Sequence, residues 1–362
     1  MGGCDGAGCH RLGMTTSQHD FQLNRPGALI AALPAVLGFV PEKSLVLVTV
    51  DRGEMGCVMR VDLSPELIDS VGHIAEVAAA AEPDAAIAVV VDAEGAVCPM
   101  CNEEHRDLAT GLTASLSERG IELLAAHVVD RVAAGGRWHC ADGCGNGGVI
   151  DDPSASPLAV AAVLDGRRLY ARRAELQEVI GVADPARSAE LAEAIRKRAE
   201  ARAGDRDDSD ARRDIEDAMA AAARVADGGE LSEAELAGLA CALTDPLVRD
   251  TLYALAVGED VAKAESLWAM LSRSLAQPWR VEALVLLAFS AYVRGDGPLA
   301  GVSLEAALRC EPTHRMAGML DTALQSGMRP EQIRELAVTG YRIADRLGVR
   351  LPPQRPFGRR AG

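Results

Sequence analysis

The feature that most constrains the fold is a change in the pattern of apolar residues near residue 183. Before it, short apolar runs alternate with helical patterns. The run from Ala85 to Val91 is bounded by turn residues, as a buried strand is, and a helix from Glu103 to Glu118 leads to a strand from Ile121 to Val129. From Leu231 onward, each segment has a helical period. The sequence therefore predicts an N-terminal α/β domain with a mixed sheet, followed by an all-helical C-terminal domain.

Composition sets the predicted domain boundaries. A chain of 362 residues exceeds the usual size of one core, so two domains are expected. Residues 184–229 alternate arginine with acidic residues and offer little besides alanine to bury, which indicates a solvated helical linker. The predicted division is a disordered N-terminus at 1–13, the α/β domain at 14–183, the linker at 184–229, the helical domain at 230–350 and a disordered tail at 351–362.

One stretch of the helical domain is similar to a tetratricopeptide repeat, a unit of two antiparallel helices. Its apolar, small and terminal-proline positions are Leu284, Leu287, Ala288, Ala300, Leu304, Ala307 and Pro312. A single copy is found, and a plain helical bundle explains the small residues equally well. Helix hairpins of this kind predict a domain that binds a protein partner.

The charge balance excludes several classes of partner. Net charge is −16, whereas binding phosphates requires the opposite balance, so neither nucleic acid nor an anionic membrane is expected. The N-terminus lacks the basic and apolar regions of a signal peptide. The apolar stretch from Ala28 to Val40 is interrupted by Pro34 and Gly38, and it is shorter than the ~20 residues of a membrane span. The expected location is the cytoplasm.

Two close pairs of cysteines form the most specific motif. They are Cys98-Pro-Met-Cys101 and Cys140-Ala-Asp-Gly-Cys144. Together they supply the four thiolates that a tetrahedral structural zinc site requires. His105 and His139 stand beside the pairs and could replace a cysteine. With three protein ligands and a water, the zinc would act as a Lewis acid rather than as a structural ion.

The first cysteine pair also fits a redox motif. Cys98 and Cys101 follow a predicted strand and precede a helix, whose dipole would lower the pKa of a thiol at its N-terminus. A third interpretation, ordinary thiols without a shared role, is left open by the sequence.

Aspartates follow the valines that end several predicted strands. If the strands are parallel, Asp62, Asp92 and Asp130 meet at one rim of the sheet, where ligands of open α/β sheets bind. Carboxylates there could hold Mg²⁺ or act as a general base. Aspartate is also common in turns that follow strands, so a purely structural role stays open.

The order of several short motifs resembles a known family. The motifs near the start are Leu33-Pro34, Leu37-Gly38-Phe39, Pro41 to Ser44 and Arg60-Val-Asp62. They continue with Trp138, Cys140, Cys144, Gly166, Arg173 to Leu176, Asp245 to Asp250, Leu287-Ala288, Gly295-Asp-Gly297 and Ala300 to Pro312. In this order they resemble the actinobacterial family catalogued as domain of unknown function 4192. The resemblance implies an intracellular protein with a housekeeping or regulatory role.

Three functional hypotheses follow. The first is a regulatory scaffold, in which a zinc-stabilised α/β domain is joined to a helical domain that binds a protein. The sequence contains no P-loop lysine, no GxSxG motif and no HExxH motif, and this favours a role without catalysis. The second is an enzyme that acts on a small molecule at the rim of the sheet through Asp62, Asp92 or Asp130. The third is a thiol redox protein that uses Cys98 and Cys101.

Overall fold

The computed structural model describes residues 10–11, 25–80, 82–164, 167–202, 204, 206–328 and 330–355. Most of the two segments predicted to be disordered, namely residues 1–9, 12–13 and 356–362, lies outside the described residues. The chain divides into two compact units. The first comprises Met1–Leu176 and Thr322–Met328, and the second comprises Gln177–Asp321 and Arg329–Gly362.

A mixed β-sheet forms the centre of the first unit, as the sequence predicts. Its strands are β1 (His10–Arg11), β2 (Ser44–Asp51), β3 (Glu54–Asp62), β4 (Ala85–Val91), β5 (Glu122–Val129), β6 (Arg137–Cys140) and β7 (Gly147–Val149). Their order across the sheet is β1-β3-β2-β4-β5-β6-β7. Only β4 and β5 pair in parallel, and each of the other neighbouring pairs is antiparallel.

Strands β2 and β3 form a hairpin. It turns at Arg52 and Gly53, which both have positive φ (50° and 79°), the combination that a two-residue hairpin loop of the primed type requires. β4 is a continuous apolar strand because both of its faces are buried. This explains why it lacks the alternation of polar and apolar residues that a half-exposed strand shows.

Four helices accompany the sheet: α1 (Pro26–Leu37), α2 (Val71–Ala79), α3 (Pro99–Ser117) and α4 (Pro157–Leu164). Helices α2 and α3 cover one face, where Leu112 and Leu116 of α3 pack in one cluster with Leu45 and Leu47 of β2. Alternate strand residues such as Val46 are equally buried, so the opposite face is covered as well. Helices α1 and α4 pack against each other. The sheet is therefore held rigidly, and its strand ends carry the candidate site.

The rest of the described chain is helical, in agreement with the sequence. The helices are α5 (Arg173–Glu178), α6 (Pro185–Ala201), α7 (Asp208–Ala226), α8 (Glu233–Leu243), α9 (Pro246–Leu252), α10 (Val261–Ser274), α11 (Arg280–Val293), α12 (Gly297–Cys310), α13 (Arg315–Gln325) and α14 (Pro330–Leu347). Helix α11 is buried from Val281 to Val293 except at Glu282, and both α10 and α12 pack on it. The helix hairpin of α11 and α12 coincides with the predicted repeat, whose tetratricopeptide character stays a prediction.

Helices α6 and α7 occupy the segment for which the sequence predicts a solvated linker. Both are amphipathic: α6 buries Leu191 and Ile195, and α7 buries Ile215 together with several alanines. Helix α6 packs against α8, and α7 packs against α10. The alanines give these helices a narrow apolar face that suits close packing. The alternation of charges in the sequence does not reveal this face.

None of the described helices combines the length and the apolar character that crossing a membrane demands.

Candidate functional sites at the sheet rim

A tight turn after β6 brings three potential metal ligands together. The thiols of Cys140 and Cys144 and a carboxylate oxygen of Asp142 all lie within 4.8 Å of one another. The turn depends on Gly143 and Gly145, which have φ values of 76° and 87° that other residues rarely adopt. Asp142 closes it, because its Oδ1 accepts a hydrogen bond of 2.9 Å from the backbone N–H of Cys144. We call Cys140, Asp142 and Cys144 the thiol turn.

The protonation states in the thiol turn are set by burial and by internal hydrogen bonds. Burial raises the pKa of Cys140 to about 11, and its hydrogen bond with the thiol of Cys144 acts in the same direction. The amide of Cys144 lowers the pKa of Asp142, and the nearby cation of Arg106 lowers it further. A metal that binds here would therefore meet an ionised carboxylate and would displace protons from the thiols.

His127 lies beside the thiol turn and was missed by the sequence analysis. It is paired with Cys140 across β5 and β6, and its Nδ1 lies 3.9 Å from the sulfur of Cys140. The ring is only 4% exposed and packs edge-on against Trp138. Burial lowers the pKa of His127 to about 4, so the imidazole is neutral at neutral pH. A histidine within an apolar strand was the available signal, but only the strand register shows its neighbour.

The two histidines predicted as substitute ligands make other contacts. Both ring nitrogens of His139 face main-chain oxygens at 3.1 Å, those of Cys140 and Ala96. The Nε2 of His105 lies 3.2 Å from a carboxylate oxygen of Asp92. A neutral His139 ring has one N–H and donates to one of these two oxygens at a time, and Nε2 of His105 could not bind a metal without giving up its contact with Asp92.

Cys98 and Cys101 form a separate pair at the start of α3. Cys98 is the N-cap residue of this helix, and its sulfur accepts a hydrogen bond of 3.5 Å from the backbone N–H of Cys101. Hydrogen bonds from Cys101 lower the pKa of Cys98, whereas the same pairing and burial raise the pKa of Cys101 to about 11. Among the described residues, neither cysteine belongs to the ligand group of the thiol turn. The four-thiolate zinc site therefore stays a prediction.

The three predicted aspartates lie at one edge of the sheet, which we call the rim. Strands β3, β4 and β5 run in the same direction, and Ser44 of β2 is in register with both Asp62 and Val91. Their carboxylates nevertheless have separate partners. Asp62 forms an ion pair of 2.5 Å with Arg60. Asp130 closes a turn, since its Oδ1 accepts hydrogen bonds from two backbone N–H groups at 2.6 and 2.8 Å.

Asp92 lines a pocket. Its side chain is 16% exposed and pairs with His105, whose side chain is 5% exposed. Gly95 leaves room for the Asp92 and His105 pair, because a Cβ at position 95 would lie 1.9 Å from Oδ2 of Asp92. Among the described residues, Nδ1 of His105 has no hydrogen-bond partner. Such an unsatisfied buried nitrogen is costly and marks a candidate binding position.

The pocket at this position has a volume of about 520 Å³, within the range of small-molecule sites. We call it the rim pocket. Its polar lining comes from Lys43, Ser64, Asp92, Glu104, His105 and Asp107, and its apolar lining comes from Leu63, Pro65, Leu67, Ile68 and Leu108. Three carboxylates against one lysine make the lining acidic. The arrangement suits a ligand that carries a positive charge or donates hydrogen bonds.

Comparison with known proteins supports the resemblance seen in the sequence. A family profile described as "Domain of unknown function (DUF4192)" matches residues 26–331 of the chain. The matched segment contains the sheet from β2 to β7, the thiol turn and the rim pocket. The searches of curated proteins and of solved structures return no match.

Proposed function

The chain belongs to the DUF4192 family, and from this starting point we propose that it is a regulatory scaffold: a zinc-stabilised α/β domain joined to a helical domain that binds a protein partner. The observation that carries the proposal is the thiol turn, in which two thiols and a carboxylate lie within 4.8 Å of one another. Ligands of a tetrahedral zinc ion are roughly 3 to 4 Å apart, so small side-chain rotations would suffice to close them around the ion.

A structural zinc site needs a fourth ligand, and His127 is the best placed. Its Nδ1 already lies 3.9 Å from the sulfur of Cys140, and a neutral imidazole can bind a metal without losing a proton. Zinc held by Cys140, Asp142, Cys144 and His127 would connect β5, β6 and the turn that follows. Strand β6 has no fully buried residue, and Ala141 is the buried apolar residue of the turn that follows it, so a metal would stabilise this edge of the sheet.

The helical domain would supply the surface for a partner. Helices α13 and α14 leave Met319, Leu336 and Val338 exposed by 50%, 38% and 45%. Exposed apolar side chains favour contact with another protein. If native co-purification yields the same proteins with Leu336→Asp as with the unaltered chain, Leu336 has no role in binding.

Metal analysis tests the central part of the proposal. We expect about one zinc ion per chain after purification without added metal. The Cys140→Ser/Cys144→Ser variant should lose the zinc and melt at a lower temperature, whereas the Cys310→Ser control should retain both zinc and stability. If the unaltered protein contains no stoichiometric metal and the double variant melts at the same temperature, the zinc proposal fails.

A second candidate function, an enzyme or binding protein for a small molecule, is favoured by the rim pocket. The Asp92 and His105 pair resembles the carboxylate and imidazole pairs that move protons, since the carboxylate orients the ring and fixes its tautomer. Small amines and small carboxylates can be added in turn while the His105 ring is observed by NMR. We expect a shift with the amines that Asp92→Asn abolishes. An unchanged ring signal with both classes would remove this candidate.

A further inference from the structure

Two free thiols form a pair at the N-terminus of α3, and neither belongs to the ligand group of the thiol turn. Cys98 is the N-cap residue and Cys101 lies in the first turn, and both are partly exposed and not disulfide-bonded. From this pairing we infer that Cys98 and Cys101 are a dithiol couple that exchanges with substrate disulfides, with Cys98 as the attacking thiol. This activity goes beyond the proposed scaffold and does not depend on the metal site.

The local geometry distinguishes the two sulfurs. The sulfur of Cys98 accepts a hydrogen bond from the backbone N–H of Cys101 and interacts with the thiol of Cys101. Both contacts stabilise a thiolate at Cys98, as does the positive end of the dipole of a 19-residue helix. The hydrogen bond between the thiols leaves the proton on Cys101. Cys98 therefore attacks first, and Cys101 resolves the product.

The two residues are also close enough to form a disulfide. An N-cap residue and the third residue of the helix are separated by one turn, and this spacing lies within the Cα range of disulfides. The backbone of Cys98 is extended (φ −91°, ψ 120°) and joins the helix through its carbonyl, which accepts the first hydrogen bond from the N–H of Asn102 at 3.0 Å. Closing the disulfide therefore leaves the hydrogen bonds of the helix interior intact.

The exchange is balanced without a further cofactor. The Cys98 thiolate attacks one sulfur of a substrate disulfide, which forms a mixed disulfide and releases the other sulfur as a thiolate. Cys101 then loses its proton to solvent and attacks the sulfur of Cys98, which releases the second substrate thiolate and leaves a Cys98 to Cys101 disulfide. The substrate gains the two electrons that the cysteine pair loses.

The surroundings of the pair suit a substrate larger than the sulfurs themselves. Val97 directly precedes Cys98 and is 83% exposed, and Met100 lies two residues after Cys98 and is 72% exposed. Large apolar side chains with such exposure beside a reactive thiol can contact an apolar segment of a substrate. The substrate class is a disulfide, either glutathione disulfide or a disulfide of a polypeptide, and experiment separates these two sources.

The test uses the full chain in glutathione buffers that run from reducing to oxidising. Peptide mass mapping should show Cys98 and Cys101 oxidised together as one internal disulfide. At pH 6, iodoacetamide should modify Cys98 at least about tenfold faster than Cys310, because the thiolate is the reactive form. Cys101→Ser should trap a mixed disulfide at Cys98, whereas Cys310→Ser should behave like the unaltered chain. Circular dichroism would verify that each variant is folded.

Two further measurements distinguish the two possible substrates from each other and a redox couple from a pair of zinc ligands. Reduction of insulin with dithiothreitol as electron donor tests a polypeptide substrate. An insulin reduction rate that falls at least about tenfold in Cys98→Ser and also falls in Met100→Ser supports a polypeptide substrate. Reduction of glutathione disulfide without reduction of insulin assigns the small disulfide. The absence of an internal disulfide at every glutathione ratio would overturn the inference. Loss of bound zinc in Cys98→Ser/Cys101→Ser would also overturn the inference, because the two thiols would then be metal ligands. Loss of zinc only in Cys140→Ser/Cys144→Ser leaves the inference intact.

Discussion

Gly95 provides a quantitative test of how the rim pocket is built. In Gly95→Ala, the new Cβ would lie 1.9 Å from Oδ2 and 2.7 Å from Cγ of Asp92, and 3.0 Å from Cε1 of His105. The carboxylate would have to retreat by more than an ångström, and its 3.2 Å contact with Nε2 of His105 would be lost. The substitution therefore combines overpacking with the loss of a hydrogen bond to a charged group.

The magnitude follows from those two costs. Overpacking a buried site costs about 1–3 kcal/mol, and losing a hydrogen bond to a charged group costs about 1.5–3 kcal/mol. Because retreat of the carboxylate relieves part of the overpacking, we expect Gly95→Ala to lower the free energy of unfolding by about 2–4 kcal/mol. Two control positions receive the same substitution. Gly72 of α2 has no atom within 4 Å of the added Cβ, and Gly111 of α3 has two side-chain tips, Cδ1 of Ile68 at 3.3 Å and Cγ2 of Val71 at 3.6 Å.

Urea unfolding followed by the fluorescence of Trp138 is the assay, because this tryptophan belongs to the sheet. Alanine favours helix over glycine by up to about 1 kcal/mol, so both controls should be neutral or stabilising. NMR of the His105 ring gives a local readout, and its Nε2 signal should move in Gly95→Ala. If Gly95→Ala changes stability by less than about 0.5 kcal/mol, or leaves the ring signal in place, the steric reasoning is wrong.

Three further predictions concern packing and charge. Asp214→Asn removes the carboxylate that accepts hydrogen bonds from two partly buried arginines. In urea unfolding it should lower the free energy of unfolding by about 2–4 kcal/mol. The control Glu216→Gln breaks an exposed ion pair on the same helix and should lower it by less than about 0.5 kcal/mol. Leu112→Ala, at a fully buried position of the core cluster, should cost about 2–5 kcal/mol, and a smaller loss would mean that the cluster collapses around the gap. The hydroxyl and amide of Ser232 lower the pKa of Glu235 to about 2, so this contact stabilises the fold above the ordinary glutamate pKa and is lost as pH falls toward 2. In Ser232→Ala the NMR-measured pKa of Glu235 should rise toward its ordinary value, and an unchanged pKa would refute the role of the hydroxyl.

The fold was largely predictable because its signals are local. A continuous apolar run such as Ala85–Val91 belongs to a strand with two covered faces, and the uniform helical period after residue 231 predicts the helices found there. The hairpin between β2 and β3 is likewise specified by its own turn residues. The charged segment at 184–229 was harder to interpret, because small alanines bury a helix face without an obvious apolar stripe.

The candidate sites were less predictable because they depend on contacts between distant residues. Spacing shows that Cys140 and Cys144 can meet, but only the register of β5 and β6 places His127 next to Cys140. The rim was expected from the strand-end aspartates, and a structural role in turns was left open for all three. Only the structure shows that Asp130 is bound to the backbone of its own turn. The partner of Asp92 also comes from another element, since His105 projects from α3.

The sheet directions have a further consequence for how such a protein can change over time. Strands β3, β4 and β5 point the same way, because β2 pairs antiparallel with both β3 and β4 and because β4 pairs in parallel with β5. Three segments that are distant in the chain therefore leave the sheet at the same edge. The loops that follow them can accept insertions and substitutions without disturbing the packed layers behind. Substitutions in these loops therefore change the surface at one edge of the sheet, one loop at a time, while the packed core stays the same.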